Sequence, residues 1–380
     1  MTLFSTHEVR RMTVYSHQLP DWPRYRWDRE KLAEPLAAVS RQQGRLIGHM
    51  EALGFQLRQE AVLQTLTADV IKTSEIEGEK LDAAQVRSSI ARRLGMEMAG
   101  MEPAGRHVEG VVEMMLDATG NFEQKLTDER LFGWHAALFP TGRSGMARIV
   151  VGAWRDDRSG PMQVVSGPIG LEKVHYEAPS AARLGQEMDA FLGFFNGENG
   201  MDPLLKAALA HLWFVTVHPF EDGNGRMARA IADRQLARSE GSSQRFYSMS
   251  AQIRDERTSY YDILERTQQG GMDITPWMEW FLACLGKAIA RAQDTLRNVL
   301  AKARFWETLR NTSLNERQRA MLNRLLDGFN GNLTTVKWAK IAKCSHDTAL
   351  RDIQDLAKKG ILTQNPGGSR STSYALANIL

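Results

Sequence analysis

From Leu46 to Ala237 apolar residues return at helical spacing in one stretch after another, and a single segment breaks the rhythm. A chain patterned in this way folds as packed helices, because each apolar stripe must find another to cover it. Leu53, Leu57, Ala61, Leu63, Leu66 and Val70 set the pattern, and Gly78 is its first break, which predicts two helices joined there. Val108 to Asn121, Asp128 to Leu138, Arg183 to Phe195, Leu204 to Val217 and Gly225 to Ala237 continue it as amphipathic stretches, all poor in proline. The exception lies at Ile149-Val150-Val151 and Met162-Gln163-Val164-Val165, β-prone runs separated by the polar stretch Arg155 to Gly160. They predict a hairpin over 149–165 that leads into Ser166-Gly167-Pro168-Ile169-Gly170, with a short exposed edge that can pair with a ligand.

The two ends differ from this middle. Residues 1–45 are expected to form a small accessory unit: Pro20 to Trp27 is rigid and aromatic, and Arg29 onward favours helix with Leu32, Leu36 and Val39 on one face. A long helix is expected from Thr275-Pro276 to Leu309, and the polar break Asn311 to Asn315 marks a boundary near residue 312, closing a core of 46–310. Residues 312–380 show helical patterns at Arg317 to Leu326, Thr335 to Ala342 and Ser345 to Lys359. Short strands follow at Gly360-Ile361-Leu362 and Ser373 to Leu376, the pattern of a winged helix. Ser345 is expected to cap the third helix, with Thr348, Arg351 and Asp352 facing outward as a recognition surface. Ten basic against five acidic residues in that span leave DNA or a protein as its partner. Met96, Met98 and Met101 are expected to serve as packing or loop residues.

Composition narrows the function classes. A formal charge of +3 from 48 basic and 45 acidic residues is too small for nucleic-acid binding by the whole molecule. Glu8, Arg10 and Arg11 interrupt the start where a signal peptide needs an apolar run, and Glu279 and Lys287 interrupt the most apolar later stretch, Trp277 to Ile289. No membrane association is expected. Cys284 and Cys344 alone exclude a disulfide scaffold and fit a reducing cytoplasm.

The chemistry concentrates in His218-Pro219-Phe220-Glu221-Asp222-Gly223-Asn224-Gly225-Arg226-Met227-Ala228-Arg229, between two of the helices. Gly223 and Gly225 let successive amides face a phosphate, and the helix that opens there adds the positive end of its dipole. Arg226 and Arg229, at i and i+3, share a face from which two guanidinium forks can clamp phosphate oxygens. A polyphosphate is the natural ligand. Asp222 offers a hard oxygen for Mg²⁺ held by one carboxylate, the nucleotide and waters. His218 can take a proton from an incoming hydroxyl at neutral pH, and Phe220 anchors the loop.

With those residues in place, the stretch resembles the Fic motif, His-Pro-Phe-x-(Asp/Glu)-Gly-Asn-Gly-Arg-x-x-Arg, and matches it at every fixed position. The resemblance extends to His211 and Trp213 on the preceding helix, to Trp134-His135, and to the hairpin ending Val164-Val165-Ser166-Gly167-Pro168. Pro20 to Trp27 resembles the small domain that precedes such cores in a bacterial subfamily. The resemblance implies a mainly α fold, a Fic-type helical bundle with a β-hairpin flap, and transfer of AMP from ATP to a Ser, Thr or Tyr hydroxyl of a target protein or of the chain itself. By the same resemblance His218 is the base and Asp222 holds Mg²⁺. Gly223, Asn224, Gly225 and Arg226 cradle the phosphates, and the target lies along Val164, Val165, Ser166 and Gly167.

Thr73-Ser74-Glu75-Ile76-Glu77-Gly78 in turn resembles the inhibitory motif (Ser/Thr)-x-x-x-Glu-(Gly/Asn) of many Fic proteins. It implies that Glu77 pairs with Arg229 and removes it from the γ-phosphate. Other readings of the same loop stay open: UMP or phosphocholine transfer, removal of AMP, or a DNA-binding regulator that senses nucleotide, with homo-oligomers possible. Tyr260 and Tyr261 stand either in the base pocket or in the core.

Overall fold

The computed structural model describes residues 14–96, 102–158, 160–168, 171–326, 329, 331–366 and 372–377. The readings on Met98, Met101, Ile169-Gly170 and Met1 to Thr13 lie outside the described residues. The chain divides into two compact units, Met1–Ala292 and Gln293–Leu380. Among the described residues no helix is long and apolar enough to cross a membrane.

The first unit is mainly helical, and side chains start many of its helices. Asp28 accepts from the amides of Glu30 and Lys31 to begin α1 (Arg29–Glu51). Then follow α2 (Phe55–Ile76), α3 (Ala83–Arg93) capped by Asp82, α4 (Arg106–Gly120) and α5 (Asp128–Leu138) capped by Thr127. Two short hairpins come next: β1 (Arg143–Ser144) with β2 (Ala147–Arg148), and β3 (Gln163–Ser166) with β4 (Lys173–Glu177). After α6 (Leu184–Asn196), Asp202 caps α7 (Pro203–Val217), whose proline sits in the first turn where no amide bond is lost. The unit continues through α8 (Asn224–Glu240), α9 (Met249–Asp255), α10 (Arg257–Gln268) and α11 (Thr275–Thr308).

Packing places the α7–α8 pair at the centre. Every residue of α7 from Leu204 to Val217 is buried, as is α8 from Arg226 to Ala237. The expected amphipathic stripes therefore give way to burial on all sides, the mark of a central helix. Gly110 lets α4 lie directly on α5: a Cβ there would fall 1.7 Å from the Ala137 carbonyl oxygen. Gly110→Ala should force the two helices apart and cost at least 1–3 kcal/mol, roughly the usual range for overpacking. A clear drop in the urea or thermal midpoint is the expected result, and an unchanged midpoint would show that the helices separate freely.

Three boundaries differ from the sequence expectation. The residue 45/46 division falls inside α1, which runs on to bury Leu46 and Met50. The aromatic start is no separate unit either. Trp22 Nε1 donates to Glu187 Oε2 at 2.8 Å, and Arg26 exchanges backbone hydrogen bonds with the Met272–Ile274 segment. Its rings need buried partners, and Trp213 on α7 supplies one.

The hairpin also shifts. β3 pairs with β4 downstream, not with 149–151, and the turn falls after Gly167, whose φ of +105° suits glycine. The upstream run is taken up elsewhere: Val150 N donates to Glu221 Oε2 at 3.0 Å and Gly152 N to His135 Nδ1 at 3.2 Å.

The second unit begins inside α11, ahead of the polar break near residue 312, because Phe305 in the last turn of that helix and Leu309 just beyond it belong to its core. It contains α12 (Glu316–Leu326), β5 (Leu333–Thr334), α13 (Thr335–Ala342), α14 (His346–Lys358), β6 (Leu362–Gln364) and β7 (Ser373–Leu376). The strands form an antiparallel sheet in the order β5-β7-β6 around a core that includes Leu322, Trp338 and Ile353. Ser345 caps α14 as expected, accepting from Thr348 N. Asp352 does not face outward. It is buried, with Arg317 Nε at 2.9 Å and Asn315 Nδ2 at 2.9 Å, so it ties α14 to the start of α12 and is lost as a recognition residue.

Candidate active site

His218 closes α7 in the left-handed conformation, with φ 52° and ψ 57°. A β-carbon is strained there, and such strain persists only where neighbours fix it. Here His218 N donates to Phe214 O at 3.0 Å, and its Nδ1 lies 3.1 Å from Val215 O. A carbonyl only accepts, so Nδ1 carries the proton and Nε2 is left as the basic atom. Burial pushes the imidazole down to about 4, so His218 is neutral through the physiological range.

Arg155 holds the loop from outside. Buried in the polar stretch that sequence reasoning passed over, it donates from Nε to His218 O at 2.8 Å and from its amide to Pro219 O at 3.0 Å. Its remaining donors reach Pro179 O at 2.5 Å and Asp157 Oδ1 at 2.9 Å. Phe220 is wholly buried as expected, stacked on His135 with ring centroids 4.2 Å apart. His135 accepts from Gly152 N at Nδ1, which leaves its Nε2–H to meet Asp222 O at 3.3 Å. Asn224 uses its side chain within the loop, Oδ1 on Phe220 N at 3.0 Å and Nδ2 on Phe220 O at 2.8 Å. Only its backbone remains for a phosphate.

The start of α8 is where charge converges. Gly223, at φ +80°, turns the chain into the helix, and Gly225 leaves room for a carboxylate: a Cβ there would lie 2.4 Å from Glu77 Oε1. Glu77 thus occupies the anion position at the first turn of α8. It also meets Arg229, Oε1 to Nη2 at 2.6 Å, while Arg229 Nε donates to Thr73 Oγ1 at 2.7 Å. Burial opposes the Arg229 charge, but Glu77 outweighs it and raises the guanidinium above its ordinary value.

The second arginine has a partner that the sequence did not reveal. Arg226 Nη1 donates to Glu79 Oε2 at 2.7 Å, and Glu79 faces His107 Nε2 at 3.2 Å. Burial works to raise the Glu79 carboxyl, but His107 and Arg226 together hold it below the usual range. Gly78, at φ +85°, makes the turn that lets Glu77 and Glu79 reach both arginines.

Asp222 accepts from Ser144 Oγ at Oδ2 and from Gly223 N at 2.5 Å. Among the described residues no cluster of three or more His, Cys, Asp or Glu could hold a metal. A cation at Asp222 would take one carboxylate from the chain and need its other oxygens from phosphate and water, a donor set that would suit Mg²⁺. A cavity of about 620 Å³ joins these parts, with Glu77, Val164, Ser166, His218, Asp222 and Tyr261 on its wall, large enough for a nucleotide. Tyr260 is buried against His211 Nε2 at 2.8 Å, whereas the Tyr261 hydroxyl reaches Glu77 Oε2 at 3.4 Å.

Burial lowers His17, His135 and His218 to about 4 and His211 to about 3. Below their unfolded value the unfolded chain binds protons that the native chain refuses, so stability falls with pH by about 1.4 kcal/mol per unit for each histidine. Burial and the neighbouring Asp69 push the Asp233 carboxyl up to about 8, which works in the opposite sense and offsets about one of the four. The urea midpoint should therefore fall between pH 7 and pH 5; a flat profile would mean that the histidines titrate in place.

Residues 125–236 match the Fic/DOC family, and residues 15–96 match a domain of unknown function, DUF4172, which spans the 45/46 division. The chain is 25% identical over 225 residues to "Protein adenylyltransferase Fic" of Drosophila grimshawi, covering 56% of this chain and 40% of that one. It is 32% identical over 113 residues to the protein of that name from Culex quinquefasciatus, covering 29% and 21%. The chain thus spans two fifths or less of these relatives. In fold it is similar to a Fic family protein from Desulfovibrio desulfuricans, with TM-score 0.52, 22% identity and coverage of 91% and 96%. It is also similar to a Fic domain containing signaling protein from Bacteroides thetaiotaomicron, with TM-score 0.50, 19% identity and coverage of 67% and 95%. The His218 to Arg229 loop, the helices on either side of it and the His135 that supports it from behind therefore lie in a chain that carries a Fic/DOC family domain.

Proposed function

We propose that this chain transfers AMP from ATP to a hydroxyl of another protein, and that Glu77 restrains the reaction. The observation that carries this reading is the meeting, on one cavity wall, of the neutral His218 imidazole and the anion position at the start of α8. In the reaction His218 Nε2 takes the proton of the target hydroxyl, whose oxygen bonds to the α-phosphorus. The bond from that phosphorus to the bridging oxygen of the β-phosphate breaks, and pyrophosphate leaves. The first-turn amides of α8 with Arg226 and Arg229 bind the phosphates and stabilise the charge that develops. Mg²⁺ bound at Asp222 would neutralise charge on the leaving pyrophosphate.

The target enters along the flap. β3 pairs on one side with β4 and has no strand partner on its other side among the described residues, so an extended segment can add there as a strand. Val165, 48% exposed, leaves that edge accessible. Support also comes from relatives named as protein adenylyltransferases.

The test is incubation of the Glu77→Gly protein with α-labelled ATP, Mg²⁺ and a cell lysate. Label on lysate proteins that His218→Asn removes supports the reading. Silence with labelled ATP, or equal labelling from γ-labelled ATP, overturns it.

A further inference from the structure

The flap and the base line one cavity, Met162, Val164 and Ser166 on one side and His218 on the other, yet they belong to different elements. Their spacing is set behind the cavity. Ala178 N donates to Met162 O at 2.9 Å and closes the foot of the β3–β4 hairpin. One residue on, Pro179 O accepts from Arg155 Nη2 at 2.5 Å, and the same guanidinium donates from Nε to His218 O at 2.8 Å. A single buried side chain thus spans the foot of the flap and the left-handed turn that presents the base. Its third arm meets Asp157 Oδ1 at 2.9 Å, and Asp157 Oδ2 accepts from Ala181 N at 2.6 Å, just past the flap. A second strut runs alongside: Tyr176, buried on β4, donates its hydroxyl to Thr216 O at 2.7 Å, two residues before His218.

Plain anchoring does not call for an arginine. Burial pushes the Arg155 guanidinium below its ordinary value, and Asp157 only partly opposes this. An apolar contact would tie the flap down at lower cost. What the planar fork adds is a fixed separation between two carbonyls held by different nitrogens. None of the hydrogen bonds of Arg155 goes to α8, where the amides and Arg229 that would meet phosphate stand, so this spacing is separable from nucleotide binding.

We infer that Arg155 is a positioning residue which, with Tyr176 as a second strut, fixes the distance between His218 and a target segment lying along β3. The inference rests on the proposed reaction. The target hydroxyl comes within reach of His218 Nε2 only while the flap and the turn keep their separation, and a displacement of about 1 Å costs on the order of a hundredfold in rate. The brace therefore acts on the transfer step and leaves ATP binding alone.

The experiment uses full-length Glu77→Gly protein with lysate proteins as targets. R155K keeps a charge, but an ammonium is a single point and cannot hold two carbonyls apart as the fork does. It should lower transfer at saturating ATP by about 10–100-fold and leave the KM for ATP within about twofold, the split expected when only the transition state is affected. Y176F removes one hydroxyl, keeps the ring and should lower the same rate by a smaller factor; it carries the test if R155K does not fold. Equilibrium dialysis with a labelled ATP analogue, bridged by a methylene between its α- and β-phosphorus, should show unchanged binding in both. Transfer at the parent rate in the folded variants would overturn the inference and leave the proposed function standing. A loss of analogue binding large enough to account for the lost transfer would overturn it too, since Arg155 would then be a general support of the fold. No transfer by the Glu77→Gly protein itself would remove the proposed function and the inference with it.

Discussion

His218→Asn, made in the Glu77→Gly protein, should lower AMP transfer to lysate proteins by about 10²–10⁴-fold while leaving ATP binding in place. Asparagine is the informative replacement because it tolerates the left-handed backbone that His218 adopts, so the loop keeps its shape and loses only the basic nitrogen. Alanine removes the base too, but at φ 52° it adds strain of about 1–2 kcal/mol and confounds chemistry with folding. The pH profile gives a second check. With the imidazole held at about 4 by burial, the base is fully available above pH 5, and the parent rate should show no rise through the usual histidine range. Transfer to lysate proteins that survives His218→Asn at the parent rate would mean that another group takes the proton.

Glu77→Gly is expected to raise transfer roughly tenfold to hundredfold, about 1.5–3 kcal/mol, the worth of a charge-assisted hydrogen bond that ATP no longer has to displace. The same change should lower stability, since Arg229 is buried, retains its bonds to Thr73 and loses its carboxylate partner. Activity and thermal midpoint should therefore move in opposite directions. Glu77→Gln, which keeps the shape and removes the charge, should fall between parent and glycine in both. Labelling that stays at the parent level in both variants would reject the proposed brake.

What could be foreseen follows from how far apart the partners are in sequence. The loop was legible because its residues are contiguous, and its glycines and arginines have meaning at fixed spacing. Glu77 was legible through a local motif, and the structure places it on Arg229. Glu79, two residues on, meets Arg226 only because Gly78 reverses the chain, and Arg155 meets His218 only through folding of a polar loop; neither leaves a periodic trace. The hairpin was misplaced for a local reason. Gly160-Pro161 and Gly167-Pro168 both punctuate the β-prone run between them, and the choice depended on the capture of Val150 and Gly152 by Glu221 and His135. Asp352 shows the limit of reading faces from a helix pattern: an acidic residue taken for surface found Arg317 and turned inward.

Glu77 stands at the C-cap of α2, one residue beyond a helix whose Thr73 and Ser74 are fully buried, while its own side chain is 28% exposed. The carboxylate can leave Arg229 by rotating about its own bonds while the helix stays anchored. In the proposed reading it would act as a competitive inhibitor on a very short tether, present at an effective concentration of about millimolar or more whatever the dilution of the protein. Under the proposed function, ATP would compete with it but never wash it away. Under that function, the rate would then depend on whatever captures that one side chain in its released rotamer, and the exposed face of the Glu77–Glu79 turn is where such a capture would occur.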